Sequence, residues 1–156
     1  GPDGPPVSLH RTYLTMSGQK APVTEPKKVM SVLKGDGKHG GAIRLHPAGK
    51  VLAVAEGIET ALAVHLLTGY PVWATISASW MKSLVIPSYV EKVLIFADND
   101  APDKQGVRAG QESAAALKSR LEGEGKEVSV ICPKREGTDF ADVWFERVMK
   151  GQQIAA

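Results

Sequence analysis

At 156 residues with 43% hydrophobic content, the chain is long enough for one domain with a real core. Its single cysteine, Cys132, excludes an intramolecular disulfide framework and a Cys-rich zinc site, and no apolar run approaches the ~20 residues of a membrane helix, so a soluble, cytoplasmic protein without a membrane partner is expected. The net charge of +2 hides an asymmetry, because residues 1–50 carry eight Lys/Arg against three Asp/Glu and the remainder carries eleven against fourteen.

The first fifty residues are rich in Gly, Pro and Lys, and their apolar residues fall in short alternating runs. They predict a small basic β-rich subdomain over 1–49, with Leu9 to Leu14 and the polar turn at Ser17-Gly18 forming a hairpin. Glu25 to Gly41 reads as an exposed, mobile loop. Its Lys27, Lys28, Lys34 and Lys38 either lie along a phosphate backbone or triphosphate, or simply solvate a connector. The glycines at 35–41 lack P-loop spacing, so a Walker-type nucleotide site is not supported.

An α/β domain is expected over 50–150. Val51 to Ala55 is apolar at every position, which suits a parallel strand covered on both faces, and from Ile58 to Leu67 the apolar spacing is helical until Gly69. Glu56 then falls where strand turns into helix, at the carboxyl edge of the sheet, where open α/β folds place ligands. Glu59 follows in the first helical turn, where the helix dipole alone favours a carboxylate. Pro71 to Ile76 predicts a second strand, and Ser77 and Ser79 follow it at the same edge, either touching phosphate or making an ordinary turn.

Lys92 to Ala97 predicts a third buried strand, ending in Asp98-Asn99-Asp100. Two acidic residues separated by one can be aimed at a single cation. Glu56 and Asp98 are 42 residues apart, enough for the crossover between neighbouring parallel strands. Asp103 sits in the turn-rich segment beyond, Val107 to Leu121 predicts a helix, and Glu127 to Ile131 a fourth strand. Thr138 is expected to cap a final helix over 139–150, with Asp139 and Asp142 on one face, and 151–156 to fray or begin a linker.

Hard carboxylates at one edge suit Mg²⁺ or Mn²⁺, and two of them about 5 Å apart repel by roughly 3 kcal/mol at an effective dielectric near 20. Asp98 and Asp100 are the expected direct ligands; Glu56 either completes the shell or takes a proton from an attacking hydroxyl. His10, His39, His46 and His65 show no paired ligand spacing, and no Ser-His-Asp set is readable.

Glu56-Gly57 after one apolar strand, Asp98-x-Asp100 after a later one, and the acidic segment Gly137-Thr-Asp139-Phe-Ala-Asp142-Val together resemble the TOPRIM domain. The chain looks most like TOPRIM-containing primases and primase-helicases of phages, plasmids and integrated elements, in which segments like Leu9-His-Arg-Thr-Tyr-Leu and Gly40-Gly-Ala-Ile-Arg44-Leu precede the catalytic strand. The likeness covers roughly residues 8–148. It implies a Rossmann-like α/β fold with a mostly parallel sheet of about four strands flanked by helices. It also implies nucleotidyl transfer, with Glu56, Asp98 and Asp100 catalytic and, with Asp139, around Mg²⁺ or Mn²⁺. Arg11, Lys27, Lys28, Lys34, Lys38, Arg44, Ser77 and Ser79 are the candidates for contacting nucleic acid or nucleotide. The implied partners are single-stranded DNA, ribonucleoside triphosphates and a replicative helicase domain or protein. A metal-dependent nuclease and a noncatalytic nucleic-acid-binding module are the alternatives. Bacterial-type primases also carry a zinc-binding module and a helicase-contacting or helicase domain; neither is read in these residues, so a fragment of a larger protein or a reduced relative is expected.

Overall fold

The computed structural model describes residues 6, 8–31 and 40–154. Two short strands, β1 (His10–Thr12) and β2 (Lys27–Val29), pair antiparallel with His10 opposite Val29. They are followed by β3 (Ile43–Arg44), β4 (Val51–Ala55), α1 (Ile58–Thr68), β5 (Val72–Ala74) and α2 (Ala78–Lys82). Then come β6 (Lys92–Phe96), α3 (Ala109–Gly123), β7 (Glu127–Ile131) and α4 (Phe140–Ile154).

β3 to β7 form a five-stranded sheet in the order β3-β5-β4-β6-β7, parallel throughout except for β3. The expected four parallel strands are all present. The fifth, β3, lies within 1–49, whose short alternating runs predict a separate β-rich subdomain, and it pairs instead with β5, antiparallel, at the edge of the main sheet. Alternation along β4 sends Leu52 and Val54 to one core, shared with Met81 of α2 and Leu117 and Leu121 of α3. It sends Ala53 and Ala55 to the other, shared with Val64 of α1 and Phe140 of α4. Helices therefore cover both faces, which is why β4 and β6 read as continuous apolar runs.

The segment from Glu25 to Gly41, expected as one exposed loop, is not one. Lys27–Val29 is a strand because its amides and carbonyls find those of His10–Thr12, and Gly40 is buried against Val85. A turn at Thr15–Gln19 closes the expected hairpin around the Leu14–Lys20 bridge, but the longer pairing of β1 is with β2. α4 continues past its expected end at Lys150 to Ile154. Gly151 disfavours helix by only about 1 kcal/mol, so it need not stop one.

Candidate active site

The parallel register sets the site. Ala55 pairs with Phe96, so β4 and β6 leave the sheet together and deliver Glu56 and Asp98 to the same edge. Ile95 and Ala97 face the α2/α3 core and Phe96 faces α1 and α4. Continued alternation carries Asp98 to the α1/α4 side, where Thr60 and Asp139 meet: the Thr60 hydroxyl donates to Asp139 Oδ2 at 3.2 Å.

Burial first, and then the charges of Asp139, Glu56, Asp100 and Asp142 in that order, push the Asp98 carboxyl up to about 7. Burial and then Asp100 also raise Glu56, partly offset by the Ala78 amide hydrogen-bonded to it. Burial, followed by Asp98 and Asp100, raises the Cys132 thiol, so the lone cysteine borders this acidic field as a poor nucleophile. The carboxylates thus share one field.

Asp98 Oδ1 is buried without a hydrogen-bond partner among the described residues. An orphaned carboxylate oxygen facing further carboxylates is the donor chemistry that a hard divalent cation satisfies, so the residues fit such an ion. As they stand, no three acidic, His or Cys side chains among the described residues close round a single point.

Asp100 is held differently. Its Oδ2 accepts the Gly110 amide of α3 at 2.9 Å, and a Cβ on Gly110 would stand 2.7 Å from that oxygen. Asp139 and Asp142 cap α4 reciprocally: Asp139 Oδ1 accepts the Asp142 amide at 3.0 Å and Asp142 Oδ2 accepts the Asp139 amide at 3.1 Å. Thr138, expected as the cap, instead donates its hydroxyl to the Arg135 carbonyl at 2.6 Å. One residue of slippage makes Asp139 both cap and neighbour of Asp98.

Ser77 caps α2, accepting the Trp80 amide at 3.3 Å, and its hydroxyl lies 3.1 Å from that of Ser79. Just before it, Ile76 has φ 73°, a region β-branched side chains rarely enter, and its amide donates to the Glu56 carbonyl at 2.8 Å. This strained turn is what brings the Ala78 amide to Glu56.

Arg11, Lys20, Glu25, Lys27 and Lys28 line a groove of about 490 Å³ over β1 and β2. Lys27 Nζ pairs with Glu59 Oε2 of α1 at 2.8 Å, fastening the groove to the helix that follows Glu56. Burial would raise Glu59, but this pair outweighs it and leaves the carboxyl below its usual range. Arg44 lies elsewhere, on the edge strand, with its guanidinium 5.0 Å from the Trp73 ring centroid. Lys34 and Lys38 lie outside the described residues. Asp103 shapes its own turn, accepting the Gln105 and Val107 amides at 2.8 and 2.9 Å. His46 and His65, unpaired by spacing, stack with ring centroids 3.9 Å apart.

Sequence reasoning passed over Thr60, Asn99, Arg108 and Gly110. Thr60 and Gly110 carried a usable signal, being a hydroxyl and a missing side chain in the first turn of helices that start at the acidic edge. Asn99 and Arg108 act on a loop about thirty residues downstream, which no local pattern announces.

A family model described as the Toprim domain matches residues 51–149. No curated protein matches the chain. A solved DNA primase domain from Pseudomonas aeruginosa is similar over 91% of this chain and 50% of its own, at 18% identity and a TM-score of 0.55. The DnaG catalytic core is similar over 96% of this chain and 53% of its own, at 15% identity and a TM-score of 0.55. The DnaG primase catalytic domain bound to ssDNA gives the same coverage and identity at a TM-score of 0.54. The chain spans about half the length of these structures, and the likeness is one of fold.

Proposed function

Because the chain belongs to the Toprim domain family, we propose that it performs metal-dependent nucleotidyl transfer, as the catalytic core of a primase-like protein making RNA primers on single-stranded DNA. The observation that carries this reading is the convergence of Glu56, Asp98, Asp100 and Asp139 on one field, with a buried Asp98 oxygen left unpartnered. Asp98, Asp100, Glu56 and Asp139 would hold Mg²⁺ or Mn²⁺. Such an ion supplies positive charge to a phosphoryl oxygen as charge develops there.

The chain's own residues do the rest. Glu56, made more basic by burial and by Asp100, takes the proton of the attacking hydroxyl. The strained turn at Ile76 keeps the Ala78 amide on that carboxylate and fixes its aim. Arg11, Lys20 and Lys28 supply the cationic wall along which a template strand or triphosphate lies, and Lys27 links that wall to α1. The basic Lys34 and Lys38 belong to the same reading, as do Ser77, Ser79 and Arg44 in lesser contact roles.

The test incubates the full chain with Mg²⁺ or Mn²⁺, single-stranded DNA and labelled ribonucleotides, beside Glu56→Gln and Asp98→Asn. Short ribonucleotide products from wild type, lost in both variants, are expected. Shortened end-labelled DNA lost in both would replace this reading with hydrolysis by the same carboxylates.

A further inference from the structure

The residue between the two aspartates is the one the acidic pattern leaves unassigned. Alternation turns Asn99 away from Asp98, toward α3, and there both ends of its amide are engaged: Nδ2 donates to the Pro133 carbonyl at 2.9 Å, and Oδ1 accepts from Gln111 Nε2 at 3.1 Å. Its backbone is engaged as well. The Asn99 amide donates to the Thr138 carbonyl at 3.0 Å, and its carbonyl accepts the Gly137 amide at 2.6 Å.

All but one of these bonds reach the connection between β7 and α4, and that connection ends in Asp139. Thr138, gripped by the Asn99 amide, is the residue before Asp139, so Asp98-Asn99 and Thr138-Asp139 lie side by side across an isolated antiparallel bridge. Arg108 secures the same pair of segments, donating to the Asp100 carbonyl at 2.5 Å and to Glu136 Oε2 at 2.5 Å. Asp139 thereby stands among four carboxylates, the strongest of the acidic influences on Asp98, against the repulsion that would drive the two apart. Something must resist that repulsion.

We propose that Asn99 is a positioning residue: its side chain clamps Pro133, at the head of the connection, to Gln111 of α3, and so backs the backbone bridge that seats Asp139 beside Asp98, setting how tightly the site takes a divalent cation. The inference rests on the reading of this edge as a cation site. Outer-shell partners of this kind typically change metal affinity by about 10–100-fold when removed. Replacement of Asn99 by Ala leaves the two backbone bonds in place, so the bridge survives while the clamp is lost.

The experiment measures Mn²⁺ binding to the full chain by the electron paramagnetic resonance signal of the free ion, with metal-free melting as a control. Asn99→Ala should weaken binding at least about tenfold. In an Asp139→Asn background the same replacement should add nothing further, because its effect passes through Asp139; a general loosening of the fold would instead cost the same factor in both backgrounds. Asn99→Asp, close in shape, sharpens the sign. Added negative charge alone would tighten cation binding, whereas the clamp, with an acceptor now facing the Pro133 carbonyl, predicts weaker binding. Wild-type affinity in Asn99→Ala, equal factors in the two backgrounds, or tighter binding by Asn99→Asp would each overturn the proposal. If wild type and Asp98→Asn bind Mn²⁺ equally poorly, the cation reading falls first and the proposal with it.

Discussion

Asp98 is a part-buried carboxylate set among other carboxylates, and its raised carboxyl makes stability depend on pH with a definite sign. A folded-state pKa near 7 against an ordinary 3.8 means that the native state holds this proton more tightly than the unfolded chain. The associated stability is fully present below about pH 4 and is lost as pH rises through 7. Without divalent ions, the melting temperature of wild type relative to Asp98→Asn should therefore fall between pH 5 and pH 8, with the variant the more stable of the two at pH 8. Parallel melting curves across that range would remove the buried-charge account. Gly110 offers a second test at the same scale. Ala in a helix is ordinarily favoured over Gly by about 1 kcal/mol, yet here its methyl would stand 2.7 Å from Asp100 Oδ2. Gly110→Ala should lower the melting temperature by a few degrees and weaken Mn²⁺ binding together; a gain in stability with binding intact would show that Asp100 yields freely.

Among the elements, α3 ends in a way that separates two glycines by their conformation. Gly125 has φ 82°, the Lys126 amide reaches back to the Leu121 carbonyl, and the Gly125 amide to that of Glu122, the paired bonds of a Schellman closure. Gly123 is helical with open space around it. Thermal melts of Gly123→Ala and Gly125→Ala should move in opposite directions, each by about 1 kcal/mol, the first up and the second down. What the sequence makes legible follows the same physics. β4 and β6 are apolar at every residue but the first of β6 because both faces are covered, so the apolar pattern alone places their ends, and with them Glu56 and Asp98. It does not place β2: Lys27–Val29 is exposed on all three residues and is a strand only through its bonds to β1. Asp139 is legible as an acidic residue at a helix start, but its partnership with Thr60 joins residues 79 positions apart, and no window of sequence contains both.

At the scale of the whole molecule, positive and negative regions are kept apart yet tied together. The groove over β1 and β2 gathers Arg11, Lys20 and Lys28, the carboxylates gather at the sheet edge, and the Lys27–Glu59 pair spans the two. An exposed pair of this kind contributes only about 0–1 kcal/mol to stability. Its value lies in alignment. If single-stranded DNA follows the groove, removing one cation that pairs with a phosphate should flatten the dependence of log K on log salt by about 0.7. Lys28→Ala should show that change in a salt titration of fluorescent oligonucleotide binding, while Lys50→Ala, paired with Glu91 at the far edge of the sheet, should leave the slope unaltered.

The strand order carries a consequence for how the chain is made. β4 lies between β5 and β6, and both of those neighbours follow it in sequence. As synthesis proceeds, this wholly apolar strand emerges before either flank exists to cover it, and its second neighbour arrives only after a helix, a strand and another helix have been added. Domains with such non-local pairings form slowly, and their early chains expose what will become the core. Glu56 is thus translated before Asp98 and Asp139, and the acidic edge comes together only once the start of α4 has been made. A nascent chain stalled before β5 would present an unpaired strand of Val, Leu and Ala to chaperones, and one stalled before β6 would still lack that second neighbour and have no assembled acidic site for ions.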